Sequence, residues 1–201
     1  ARRAWQDADV VMRNLPASPV ELLALLVRID SANVPGVSDS FPERTAIEAI
    51  EELATRWGLE TRRYAVPPER HNLLISAGTR PGLPWILFDA HIDTVGAFGM
   101  NIGAFDAELS EGKMYGRGTC DTKGSAAAIF WALKEHRSRA TQVPINIGFA
   151  CTVDEEVGMS GARELTSALP GFDGPVLGII VGEPTGLEPV IAHGGILRVT
   201  V

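Results

Sequence analysis

Cysteine is scarce. Cys120 and Cys151 are the only two in 201 residues, so at most one disulfide can form, and no C-x-x-C pair exists. Both fall in apparent core or site segments, which reads as reduced thiols in a cytoplasmic protein. Either thiol could ligate zinc on chemistry alone, but their neighbours offer better oxygen and nitrogen donors. Long apolar runs are also missing. The longest, around Val20–Ile29, is broken by Glu21 and Arg28, short of the about 18 residues of a membrane span. The first residues, Ala1–Asp7, lack the apolar core of a signal peptide, so the expectation is a cytoplasmic chain with no membrane partner. Basic residues are in deficit, 18 Lys and Arg against 25 Asp and Glu, for a net charge of -7. That argues against nucleic acid as a partner, because phosphates require a basic face.

What is present suits one α/β domain with a buried core. Hydrophobic residues make up 45% and charged residues 21%, ordinary values for a globular chain. Ser18 can cap a helix that Pro19 starts, continuing through Val20–Leu26. A second helix is expected from near Pro42 to Trp57, with Ile47, Ile50, Leu53 and Ala54 on one face and Gly58 as its stop. Strands are expected at Glu60–Val66, Asn72–Ser76 and Trp85–Ala90, the last two separated by the turn Gly78–Gly82. Thr122 to about His136 reads as a helix, Ile145–Val153 as a strand buried on both faces, and Gly161–Leu169 as a short helix. Val176–Val181 reads as another buried strand, and Pro189–Val201 alternates enough to be a final one. This alternation predicts a mixed, largely parallel sheet flanked by helices.

Polar residues cluster where the predicted strands end, which is where open α/β sheets form their sites. His91-Ile92-Asp93 follows one strand, Asp121 follows the glycine-rich Gly116–Cys120, Asp154-Glu155-Glu156 follows another strand, and Glu183 follows a third. The strand period of two puts His91 and Asp93 on one face. A neutral imidazole can bind zinc while the nearby carboxylate fixes its tautomer, a role suited to Asp93. Asp121, at a helix start, is either a cap favoured by the helix dipole or a carboxylate bridging two cations about 3.5 Å apart. Adjacent Glu155 and Glu156 can point different ways as the chain leaves its strand. One could bind metal and the other reach the attacking water, a division that hydrolysis needs. Glu183 would be a terminal ligand, though alone Glu183-Pro184-Thr185 is only a turn. His71 and His136 read as ordinary surface positions.

These motifs, in this order, resemble the zinc aminoacylase family, which includes acetylornithine deacetylase, succinyl-diaminopimelate desuccinylase, aminoacylase-1 and carboxypeptidase G. The resemblance is carried by His91–Val95, Tyr115–Gly124, Asp154–Gly158 and Gly182–Thr185, within a match from about Trp85 to Gly195. It implies a di-zinc exopeptidase-like fold with two Zn2+ ions, Co2+ or Mn2+ being acceptable to such ligands. It implies that His91 binds one zinc with Glu183, that Asp121 bridges both, and that Glu156 binds the other. Glu155 would be the general base, Asp93 the carboxylate that orients His91, and Asp121-Thr122 a cis peptide. Family members are longer, with a small domain inserted after the Glu-Pro-Thr motif. The resemblance therefore divides the chain into a catalytic portion, 1–190, and the start of the inserted lid or dimerisation domain, 191–201. His193 matches a position near that junction without being read as a ligand; a last histidine ligand and the substrate-carboxylate contacts would lie outside these residues. Homodimerisation would run through the inserted domain.

The expected chemistry is metal-assisted hydrolysis of the amide bond of an N-acyl amino acid, in the manner of acetylornithine deacetylase, or of a small peptide. Two competing readings belong to other classes. A non-catalytic binding or assembly protein could keep the fold, although the intact Glu155-Glu156 pair speaks against it. A phosphate-binding domain is suggested by Gly116-Arg117-Gly118 before a helix, but the spacing of neither G-x-G-x-x-G nor G-x-x-x-x-G-K-[ST] is met, and Asp121 would repel phosphate.

Overall fold

The computed structural model describes residues 15–139, 143–192 and 194. Helix α1, Pro19–Arg28, starts as its sequence dictates: the Ser18 hydroxyl accepts the Glu21 N–H at 3.1 Å, and the Glu21 carboxylate accepts the Ala17 N–H at 2.9 Å. Both satisfy donors that a helix start leaves open. Helix α2, Arg44–Arg56, buries Ala46, Ile47, Ile50, Leu53 and Ala54 completely, the apolar stripe that its periodicity predicts. Gly58, at φ +69°, then turns the chain into the sheet.

Five strands form that sheet: β1 (Glu60–Val66), β2 (Arg70–Ser76), β3 (Trp85–His91), β6 (Asn146–Thr152) and β7 (Val176–Val181), in the order β1-β2-β6-β3-β7. The three strands β6, β3 and β7 run parallel, while β2 is antiparallel to both β6 and β1. The expected mixed sheet is thus present, with its antiparallel pair at one edge. Helices α1, α2 and α3 (Lys123–Ser138) cover one face through Leu22, Leu26, Ile47, Ile50, Phe130, Phe149 and Cys151. Helix α4 (Ser160–Ala168) and the 3-10 turn Leu169–Gly171 cover part of the other, against Leu74, Trp85, Leu87 and Ala150.

One expectation needs correction. The strand Val176–Val181 is not buried: Leu177, Ile180 and Val181 are each more than half exposed. It is an edge strand among the described residues, and apolar composition alone cannot distinguish an edge from a centre. A hairpin, β4 (Glu108–Ser110) and β5 (Lys113–Tyr115), was not anticipated, because strands of three largely exposed residues carry no alternation. Its signal was Glu111-Gly112, both at positive φ, the requirement of a two-residue hairpin turn. The strand expected over Pro189–Val201 falls largely outside the described residues, as does His193; its described part, 189–192 and 194, is irregular. No helix among the described residues is long and apolar enough to cross a membrane.

Candidate metal centre

One face of β3 changes character along its length. Trp85 and Leu87 enter the core, and the same face continues with Asp89, His91 and Asp93, all buried. The apolar half anchors the strand, and its carboxyl end delivers the imidazole. The His91 ring is held from behind: Nδ1 lies 2.9 Å from the Asp93 backbone carbonyl and 3.5 Å from its carboxylate. An N–H at Nδ1 donating to that carbonyl leaves Nε2 facing the site, where a metal could take the place of its proton. Nε2 is 3.0 Å from Asp121 Oδ1, 3.7 Å from Glu183 Oε1 and 3.9 Å from Glu155 Oε2.

Asp121 arrives on the turn before α3. Gly118 there has φ +82°, and a Cβ on it would lie 2.8 Å from Thr94 Cγ2, so only glycine fits without displacement. The Asp121-Thr122 peptide is cis, and the Thr122 hydroxyl donates to the His91 carbonyl at 3.2 Å. Lys123 is fully buried and donates from Nζ to the Ile29 carbonyl at 2.7 Å; burial pushes its pKa down to about 7. Glu183 follows β7, where the Gly182 N–H bonds the Asp89 carbonyl at 2.8 Å.

Glu155 and Glu156 leave β6 through Asp154, which stands at φ +63°. Their N–H groups donate to the two oxygens of Asp93, each at 3.0 Å. Glu156 Oε1 accepts the Val95 N–H at 3.1 Å. Two sets of potential ligand atoms result, each lying within 4.8 Å of one another: His91 with Asp121 and Glu183, and His91 with Glu155 and Glu156. The structure therefore brings His91, Asp93, Asp121, Glu155, Glu156 and Glu183 to one place. Glu156 falls in a set with His91 and Glu155, rather than with Asp121.

The electrostatics suit a cation. Burial alone would lower the pKa of His91, but hydrogen bonding and charge from Asp93, with Glu183 and Glu155 behind it, push it up to about 10. The carboxylates that favour positive charge on this buried imidazole would also favour a metal ion in place of its proton. Spacings of 3.0 and 3.7 Å bracket the about 3.3 Å edge of a tetrahedron with zinc–ligand bonds near 2 Å. Burial raises the pKa of Glu183 and Glu156, with neighbouring carboxylates adding to the shift. A divalent ion would relieve that repulsion. The donor set fits the metals that the motifs imply.

The family model for peptidase family M20/M25/M40 matches residues 87–195, the segment that carries all of these groups. The chain belongs to this family. An acetylornithine deacetylase of Proteus mirabilis is 36% identical over 162 residues, 74% of this chain and 38% of that protein. A solved M20 family metallo-carboxypeptidase from Sulfolobus solfataricus shares the fold at a TM-score of 0.69 and 13% identity, covering 83% of this chain and 37% of that one. A dinuclear metal binding M20 peptidase of Bacillus subtilis does so at 0.58 and 18%, covering 86% and 43%. The chain thus spans less than half the length of each of these three proteins.

Around the M20 motifs lie groups that sequence reasoning missed. Asn33, Glu43 and Arg70 are distant in sequence and belong to no motif, yet they converge behind Asp93 and Asp154. His71 is half-buried, not a surface residue; its ring meets Phe41 edge-on at 4.9 Å, and burial lowers its pKa. His136 is likewise half-buried.

Glu43 is fully buried; its Oε1 accepts from Arg70 at 2.8 Å, while Oε2 has no hydrogen-bond partner among the described residues. Burial, reinforced by Asp93 and opposed by Arg70, pushes its pKa up to about 7. The folded state then binds a proton that the unfolded chain releases near 4.5. Glu43 therefore costs stability as pH rises from about 4.5 to about 7. Urea midpoints at pH 5 and pH 7.5 should fall less in Glu43→Gln than in the parent. An identical fall in both would show that Glu43 does not titrate in this window.

Proposed function

We propose that residues 1–190 form the catalytic portion of a metal-dependent amidohydrolase. It would cleave the amide bond of N-acyl amino acids, as an acetylornithine deacetylase does, or of small peptides. Residues 191–201 would open a further domain, the site of any homodimer contact. The observation that carries the reading is the convergence of a buried imidazole with Asp121, Glu155, Glu156 and Glu183 at the carboxyl ends of three parallel strands. A bound cation would account for so many carboxylates gathered around one histidine.

His91, Asp121 and Glu183 would hold one divalent ion, and Glu156 would contribute to holding a second; zinc, cobalt and manganese all suit these donors. When bound, the metals would acidify water and polarise the scissile carbonyl. Glu155 is the general base in this scheme. Its carboxylate takes the proton of the attacking water as that water adds to the carbonyl carbon. It then delivers the proton to the amine nitrogen as the C–N bond breaks, leaving a carboxylic acid and a free amine. Asp93 keeps His91 and the Glu155-Glu156 backbone in register while this happens.

The decisive experiment is a hydrolysis screen of N-acyl amino acids and dipeptides on the full-length protein with added zinc or cobalt. Metal-dependent release of a free amine from one class is the expected result. Stoichiometric metal binding without turnover on any class would favour instead a binding or assembly role for the same site.

A further inference from the structure

We infer that Asn33, locked in orientation by Arg70, is a positioning residue for the Glu155-Glu156 segment. The inference deepens the hydrolytic reading above and rests on it for its catalytic consequence.

Asn33 is nearly fully buried and comes from the loop after α1, far in sequence from the groups it touches. Its amide nitrogen lies 3.2 Å from Asp93 Oδ2 and 3.0 Å from Asp154 Oδ1. The two hydrogens of one NH2 group are thereby divided between two carboxylates that would otherwise repel each other. Its carbonyl oxygen accepts from Arg70 Nη2 at 3.3 Å. A guanidinium can only donate, so the amide has one workable orientation. Flipped, its oxygen would face both carboxylates and its NH2 would face the guanidinium. Arg70 is itself fixed by Ser40 O at 3.0 Å, Glu43 Oε1 at 2.8 Å and Asp154 Oδ1 at 3.0 Å.

The two carboxylates that Asn33 joins bracket the loop that bears Glu155 and Glu156. Asp93 accepts the N–H groups of Glu155 and Glu156. Asp154, in the left-handed region, sets the direction in which both glutamates leave β6. It is held there by its N–H to Glu43 Oε1 at 3.0 Å and by the Ser160 hydroxyl on Oδ2 at 2.6 Å. Asn33 therefore couples the strand that bears His91 to the loop that bears Glu155, without lying among the proposed ligands.

The test is Asn33→Ala in the full-length protein, with hydrogen exchange read on the metal-free form and kinetics on the metal-loaded form. Exchange at the Glu155 and Glu156 amides should quicken at least about tenfold while Phe149–Cys151 stays protected. The kcat should fall about 10- to 100-fold, the range found for groups that orient metal-site residues, with KM nearly unchanged. Arg70→Met should reproduce this signature, and Arg70→Lys should restore part of it. Should Arg70→Met fail to fold because Glu43 loses its cation, Arg70→Met/Glu43→Gln removes both charges and carries the same expectation. Unchanged exchange at Glu155 and Glu156, or exchange that quickens equally throughout β6, overturns the positioning role. Local loosening in a protein whose parent hydrolyses nothing supports the positioning role and overturns only the hydrolytic reading.

Discussion

Replacing Glu155 with alanine in the full-length protein should lower turnover by about two to four orders of magnitude, the usual contribution of a general acid–base, while metal content is retained. The geometry separates Glu155 from its neighbour. Its carboxylate is 39% exposed and stands 3.9 Å from His91 Nε2, open to the site. The Glu156 carboxylate is tethered by the Val95 N–H. Its removal should act on metal stoichiometry rather than on the proton transfer. Turnover by rapid-quench or steady-state assay, paired with metal analysis of the same preparation, tells the two apart. Near-normal turnover in Glu155→Ala would refute the general-base assignment, and loss of metal in that variant would make Glu155 a ligand instead.

The largest effect on stability should come from Phe130→Ala. Phe130 is fully buried on α3, with Trp57 at 4.8 Å and Phe149 at 6.2 Å between ring centres. It joins α2, α3 and the sheet across the main core. Truncating such a side chain removes its transfer energy and leaves a cavity, at a cost of about 3–5 kcal/mol. That is a large share of the about 5–15 kcal/mol that holds a domain together. Denaturant unfolding should show a lower midpoint with an unchanged slope. A loss under about 1.5 kcal/mol would mean that the surrounding aromatic rings collapse into the space. Because α3 follows directly on Asp121, metal affinity should weaken in the same variant.

The elements read from the sequence were those whose burial follows a simple period. Ile47, Ile50, Leu53 and Ala54 recur at helical spacing and are fully buried. The continuous apolar run of Ile145–Val153 is a central strand, observed as Asn146–Thr152. The β4–β5 hairpin escaped because its residues contact little. The exposure of β7 escaped because strand order is a long-range property.

For the site, the sequence by itself determined the candidate donors: one histidine and a series of carboxylates, each at a strand end or helix start, in the order of the M20 motifs. Local rules suffice there, since strand ends and glycine turns place side chains within a few residues of themselves. Only the tertiary structure decided how the donors are held. Asn33, Glu43 and Arg70 act across 60 residues or more in some contacts, and no local pattern encodes which buried amide will face which carboxylate. That choice follows from packing, because a buried polar group must find its partners wherever the folded chain supplies them.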